Sequence, residues 1–176
     1  MLSQTIQDAI NDQVNNELGA SYTYLAMSGF CELENFPGCA RWLRRQSEEE
    51  YGHAMKLFDF LLARNGAVRL KAIAEPSLAF RSVAHVFEQS LKQEIEVSSK
   101  IDALYELAFR EKAFSALVEL QWFITEQVEE EKTTRDIVAK FNLAKDDPAS
   151  LLEIDRELGT RGLAQEINGP RNAGSH

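Results

Sequence analysis

Residues 48–56 read EEEYGHAMK, three consecutive glutamates and a histidine set among good helix formers. On a helical wheel at 100° per residue, Glu50 and His53 continue the stripe formed by Cys39, Leu43, Gln46, Leu57, Phe60 and Leu61. That stripe is the face the helix must bury. A carboxylate and an imidazole on it demand partners from the rest of the chain.

Outward from this helix, punctuation is sparse. Pro37, Pro76, Pro148 and Pro170 are the prolines, and the stretches between them are rich in Ala, Leu, Glu, Gln, Arg and Lys, with apolar residues recurring at three and four. The pattern predicts helices at about 5–34, 37–64, 79–109 and 113–142, and a shorter one at about 148–165. Pro37 in NFPGCA suits a first helical turn, RNG after FLLA supplies a C-terminal stop, and DDPAS before LLEI starts the fifth helix. The connection NGAVRLKAIAEPSL, from Asn65 to Leu78, is longer than packed helices usually need. It gives the chain room to return along the whole bundle, so that the third helix runs parallel to the second. The predicted fold is all-α: a four-helix bundle with one long crossover connection and a short C-terminal fifth helix. One domain, about residues 1–166, accounts for nearly all of the 176-residue chain, and the small, polar stretch 167–176 is expected to be loosely held.

The chain carries 28 Asp+Glu against 19 Lys+Arg, a net charge of -9. An acidic surface gains nothing from nucleic acid or an anionic membrane and favours cations as partners. Cys31 and Cys39 are the two cysteines, and they are expected to be idle buried thiols. The N-terminal MLSQTIQDAINDQ lacks the basic and apolar layout of a signal peptide, and nowhere does an apolar run reach membrane-spanning length. A cytoplasmic location is the expectation.

The other three helices show the same anomaly as the second. In the first, Ile6, Ile10 and Val14 lead to Glu17, then Ala20, Ser21 and Tyr24. In the third, Val83, Phe87 and Leu91 precede Glu94, with Val97, Ile101 and Tyr105 after it. In the fourth, Ala116, Leu120 and Phe123 precede Gln127 and Glu130, followed by Thr134, Val138 and Phe141. Glu17, Glu50, Glu94 and Gln127 each fall near the midpoint of their helix, and midpoints of aligned helices share one level whichever way each helix runs. Several carboxylates in one core layer repel one another and cost several kcal/mol each unless paired. Arg41, Arg44 and Arg45 lie near the start of the second helix and Arg110 near the end of the third, away from that level. Metal cations resolve the conflict, and four carboxylates plus one imidazole suit two of them. Glu50 and His53, three apart, converge on one patch of helix surface.

With these residues in place, the sequence resembles the ferritins, and among them the prokaryotic non-haem type, over about residues 1–165. The resemblance rests on Glu17 with Tyr24 seven further on, EEEYGH with Glu50 and His53, Glu94 in KQEIE, and EQVEEEK with Gln127 and Glu130. It implies that Glu17, Glu50 and His53 hold one iron and that Glu50, Glu94 and Glu130 hold the other, with Glu50 bridging. Gln127 would hydrogen-bond within this shell, and Tyr24 would lie beside it as a one-electron donor. Glu49, Glu126, Glu129 and Glu130 match a third, weaker iron site of the family. The activity implied is ferroxidase: Fe(II) is oxidised by O2 or H2O2 at the bundle centre and stored as ferric mineral in the hollow of a 24-subunit homo-oligomer.

The chain departs from related patterns at definite places. The superfamily's usual second E-x-x-H is absent, Glu130 standing where its histidine would be. Bacterioferritins carry a haem-ligating methionine between the glutamate and histidine of the first motif. Tyr51 and Gly52 stand there in this chain, which argues against haem. Animal ferritins line an iron channel with acidic residues where this chain has Leu117 and Leu120, with Glu119 adjacent. Two rivals remain: a di-iron enzyme acting on an organic substrate, and a structural subunit without metal chemistry. Trp42 and Trp122 are expected in packing, His85 and His176 in solvent, and Tyr51 at a subunit contact.

Overall fold

A computed structural model describes residues 2–160. Five helices follow in order: α1 (Gln4–Leu33), α2 (Pro37–Ala63), α3 (Val83–Arg110), α4 (Phe114–Ala144) and α5 (Pro148–Thr160). Among the described residues there is no strand. The predicted continuation of α5 to about 165, the tail 167–176 and His176 lie outside the described residues.

Local chemistry sets the helix ends. Ser3 caps α1 by accepting from the Ile6 N–H, Ser82 caps α3 through His85, and Asp147 accepts from the Ser150 N–H at the start of α5. The Ser82 cap explains why α3 begins at Val83 and not near residue 79 as the apolar pattern predicts. At their C-terminal ends α1, α2 and α3 close with paired bonds: Phe36 N to Cys31 O with Asn35 N to Glu32 O, Gly66 N to Leu61 O with Asn65 N to Leu62 O, and Ala113 N to Ala108 O with Lys112 N to Phe109 O. Asn35, Asn65 and Lys112 sit in the left-handed region that this closure requires.

The crossover runs along α1. Asn11 and Asn15, one turn apart, use their side-chain amides as a strand edge: Asn11 donates to Ala67 O and accepts from Arg69 N, while Asn15 donates to Arg69 O and accepts from Lys71 N. Backbone groups that a free loop would leave to water are thereby satisfied. Further on, the Phe80 ring meets Phe30 at 5.3 Å between centroids, near the C-terminal end of α1. The third helix therefore starts at the end where α2 starts, as the length of the connection predicts.

Helix α1 packs chiefly on α2, α3 on α4, and α5 on α2. Gly38 permits the last contact, since a Cβ there would stand 1.8 Å from the Asp155 carbonyl oxygen. α2 has no side-chain cap of its own. Asp155, on α5, supplies one from a distance by accepting from the Cys39 N–H at 2.8 Å.

Two apolar clusters fill the bundle, one around Tyr24, Leu43, Phe87 and Phe141, the other around Ile10, Leu57, Ile101 and Phe123. A polar layer at the middle of the helices separates them. The helical wheels hold for most core positions and slip at a few: Ile137 is buried where Val138 was expected, and Leu91, Tyr105, Phe60 and Ser21 are only half-buried. Each lies at the edge of its stripe, where a small difference in helix rotation decides burial.

Candidate metal centre

Glu17 comes from α1, Glu50 and His53 from α2, Glu94 from α3, and Gln127 and Glu130 from α4. All six are buried, none more than 8% exposed. Ligand atoms of Glu17, Glu50 and His53 lie within 4.8 Å of one another, and His53 Nδ1 faces Glu50 Oε2 at 3.3 Å. Glu17 Oε1 accepts from Gln13 Nε2 at 2.7 Å, while Glu17 Oε2 is buried with no amide or hydroxyl donor, and the group that faces Glu17 is the Glu50 carboxyl. Leaving such an oxygen unsatisfied costs about 1–3 kcal/mol. A cation would satisfy it, and the oxygen and nitrogen donors gathered here suit iron.

The rest of the layer is held by hydrogen bonds. Tyr24 donates its hydroxyl to Glu94 Oε1. Gln127 Nε2 donates to Glu94 Oε2 at 3.2 Å and stands 3.3 Å from Ser98 Oγ. Gln46 Nε2 reaches both Glu49 Oε2 at 3.1 Å and Glu130 Oε2 at 3.2 Å. Glu94 and Glu130 thus border the Glu17, Glu50 and His53 group without joining it.

Burial and mutual repulsion move protons onto this layer. Burial, with Glu94 and Glu17 alongside, raises the Glu50 carboxyl well above the usual range. Burial raises Glu17, opposed by the Gln13 hydrogen bond. It lifts Glu94 to about 7, against hydrogen bonds from Tyr24 and Gln127. Glu130 goes to about 8, through burial and then the charge of Glu49. The Tyr24 phenol is raised by burial and by Glu94. Such acids hold protons that a cation can displace.

A second group lies toward the surface. Ligand atoms of Glu49, His53 and Glu126 also come within 4.8 Å of one another, with Glu49 exposed and Glu126 half-buried. Burial raises the Glu49 carboxyl, and Glu126 raises it further against the pull of His53. Of the four residues expected at an outer site, Glu49 and Glu126 are brought together. Glu130 is in neither group but is tied to Glu49 directly and through Gln46, and Glu129 is exposed and in neither group.

Sequence reading missed several neighbours. Gln13 and Gln46 are the amides that hold Glu17 and Glu130, and glutamines one helical turn before Glu17 and Glu50 were the available signal. Trp122 was expected only in packing, yet its ring stands edge to face with His53 at 5.4 Å. It lies off the core stripe of α4 beside Phe123, so periodicity gave no hint. His85, expected in solvent, is half-buried against Phe80. Trp42 does sit in the core, against Tyr24 and Phe87.

Comparison with known proteins agrees with this architecture. Residues 7–144 match the family model of the ferritin-like domain. The bacterial non-haem ferritin of Staphylococcus aureus strain MRSA252 is 34% identical over 166 residues, covering 94% of this chain and all of the relative. That of Bacteroides fragilis strain 638R is 38% identical over 161 residues, covering 92% of this chain and all of its own. Among solved structures, the open-pore ferritin of Archaeoglobus fulgidus superposes with a TM-score of 0.89 at 39% identity, covering 90% of this chain and 98% of that one.

Proposed function

The chain belongs to the ferritin family, and from that premise we propose that it is an iron-storage ferritin with ferroxidase activity. The observation that carries the reading is the buried Glu17, Glu50 and His53 group with a carboxylate oxygen inside it that has no amide or hydroxyl donor. A fold that only needed stability would put apolar side chains there.

Fe(II) is the substrate. Glu17, Glu50 and His53 bind one ion, and Glu50, Glu94 and Glu130 the second, with Glu50 shared. Two Fe(II) give up two electrons to O2, which leaves as H2O2 after taking two protons, or to H2O2, which leaves as water. Added carboxylates favour the harder Fe(III) product. Gln127 and Tyr24 donate to the Glu94 carboxylate, and Tyr24 supplies a further electron. Glu49 and Glu126, with Glu129 and Glu130 nearby on the chain, form an outer station for a third ion. The ferric product passes into the hollow of a homo-oligomeric shell of 24 chains, in the cytoplasm. Among the described residues no helix is long and apolar enough to cross a membrane.

The test is aerobic addition of Fe(II) to the wild type and to Glu50→Ala, following ferric absorbance with the particle mass measured alongside. Rapid oxidation by the wild type, a fall of about a hundredfold or more in the variant and a shell-sized particle support the proposal. Equal rates in both sink the di-iron assignment, and a small monomer sinks the storage shell.

A further inference from the structure

A histidine that binds a metal through one ring nitrogen is normally oriented by a hydrogen bond at the other. Among the described residues, the one hydrogen-bond partner of His53 is Glu50, at 3.3 Å, on the side where both face the metal layer. That contact is longer than the usual 2.7–3.2 Å and joins two groups that would both turn to the same ion. The Glu49 and Glu126 carboxylates come within 4.8 Å of a His53 nitrogen without a hydrogen bond to it, so packing must hold the imidazole.

Two aromatic rings, each edge to face with the imidazole, do so. His53 meets Trp122 at 5.4 Å with the planes 81° apart, and Phe123 at 5.8 Å and 76°. Trp122 and Phe123 are themselves edge to face at 4.9 Å. Phe123 is 1% exposed and fixed by the core. Trp122 is 39% exposed, and by burial alone it would be free to swing away. Its ring is clamped: Lys56 Nζ lies 4.9 Å from the ring centre, and Glu119 holds that ammonium at 3.0 Å. Lys56 follows His53 by three residues on α2, and Glu119 precedes Trp122 by three on α4. One helical turn on each helix therefore carries the whole linkage.

We infer that Trp122, clamped by the Lys56–Glu119 ion pair, is a positioning residue that holds the His53 imidazole in its metal-binding orientation. The inference rests on the reading of His53 as a ligand of the centre. Trp122 touches neither the ion nor the oxidant in this role. It removes rotational freedom that His53 would otherwise lose on binding.

The test uses the assembled, metal-free protein titrated with Co2+, whose visible d–d absorption reports the ligand set without any oxidation step. His53→Ala is expected to weaken binding by about ten- to a hundredfold and to lower the band intensity. Trp122→Ala is expected to weaken it about three- to tenfold, as one side chain regains its freedom, and Trp122→Phe to restore it to within about twofold, since a ring edge remains. Trp122→Leu takes the place of the alanine variant if that fails to assemble. Wild-type affinity and spectrum in Trp122→Ala, with His53→Ala impaired, overturn the positioning role and leave the centre standing. Trp122→Phe as impaired as Trp122→Ala overturns it also, since a ring edge then does not suffice. Wild-type binding by His53→Ala removes the underlying reading, and the inference with it.

Discussion

Two regions of this bundle bury acids and treat them in opposite ways. Under α5, Asp155 is 8% exposed and faces the start of α2, where it accepts from the Cys39 N–H. At mid-bundle, Glu17 and Glu50 are as deeply buried, face each other and His53, and leave Glu17 Oε2 with no amide or hydroxyl donor. The first acid completes a helix end and belongs to the fold. The second set is a cost to the fold, which bound protons lower in the metal-free protein and an added cation relieves. The apolar clusters on either side supply the stability that lets the layer stay strained.

The contrast can be broken by truncation. Phe87 is fully buried, stacked on Phe141 and tilted against Trp42. Phe87→Ala is expected to destabilise the metal-free protein by about 3–5 kcal/mol in denaturant unfolding. Glu50→Gln, equally buried, should be neutral or stabilising in the same assay, because the raised Glu50 carboxyl already holds a proton without metal and the amide needs no such uptake. A loss in Glu50→Gln as large as that in Phe87→Ala would erase the distinction between the regions.

The proton balance sharpens it. Below about 4.5, the ordinary carboxyl value, folded and unfolded chains both keep their protons. As pH rises past that point the unfolded chain releases them, while folded Glu94 and Glu130 hold theirs until about 7 and about 8. The folded state then binds more protons than the unfolded, so the stability of the metal-free protein falls between pH 4.5 and 8. Unfolding midpoints across that range check it, and a rise over the window would contradict the raised acids. Bound divalent metal should flatten the slope.

Asp155 supplies the smaller, opposite effect. Asp155→Ala removes the cap of α2 and should cost about 1–2 kcal/mol while leaving Fe(II) oxidation unchanged, measured by denaturant unfolding and stopped-flow absorbance. Smaller still is the response of the two thiols beside it. Burial pushes Cys31 up to about 12 and raises Cys39 further, so alkylation of the folded protein at pH 8 should be slow and become rapid only on unfolding. Fast labelling of the native protein would show that this end of the bundle opens locally.

The four polar interruptions were legible because they fall on strong apolar stripes, and a carboxylate on such a stripe is the informative exception. The crossover was legible from its length. Its attachment was not: Asn11 and Asn15 read as ordinary helix polar residues, and only the folded chain shows their amides pairing with residues 67–71. Asp155 was equally hidden, because the helix end that it caps is 116 residues away. Trp122 escaped for a different reason, being off the core stripe of its own helix while its partners Lys56 and His53 belong to another. Periodicity reports which face a helix buries, and it is silent about pairs formed at the margins of two faces.

The most direct test of the central contrast is the unfolding temperature of metal-free protein with and without Fe(II), held anaerobically at pH 7, in the wild type and in Glu50→Gln. A cation site predicts that Glu50→Gln is at least as stable as the wild type without metal. It also predicts that Fe(II) raises the wild-type midpoint, by about 2.7 kcal/mol of stability at a hundredfold excess over Kd, and leaves the variant almost unmoved. A metal-free variant weaker than the wild type, together with no response of the wild type to Fe(II), would mean that the mid-bundle acids serve the fold and bind no iron.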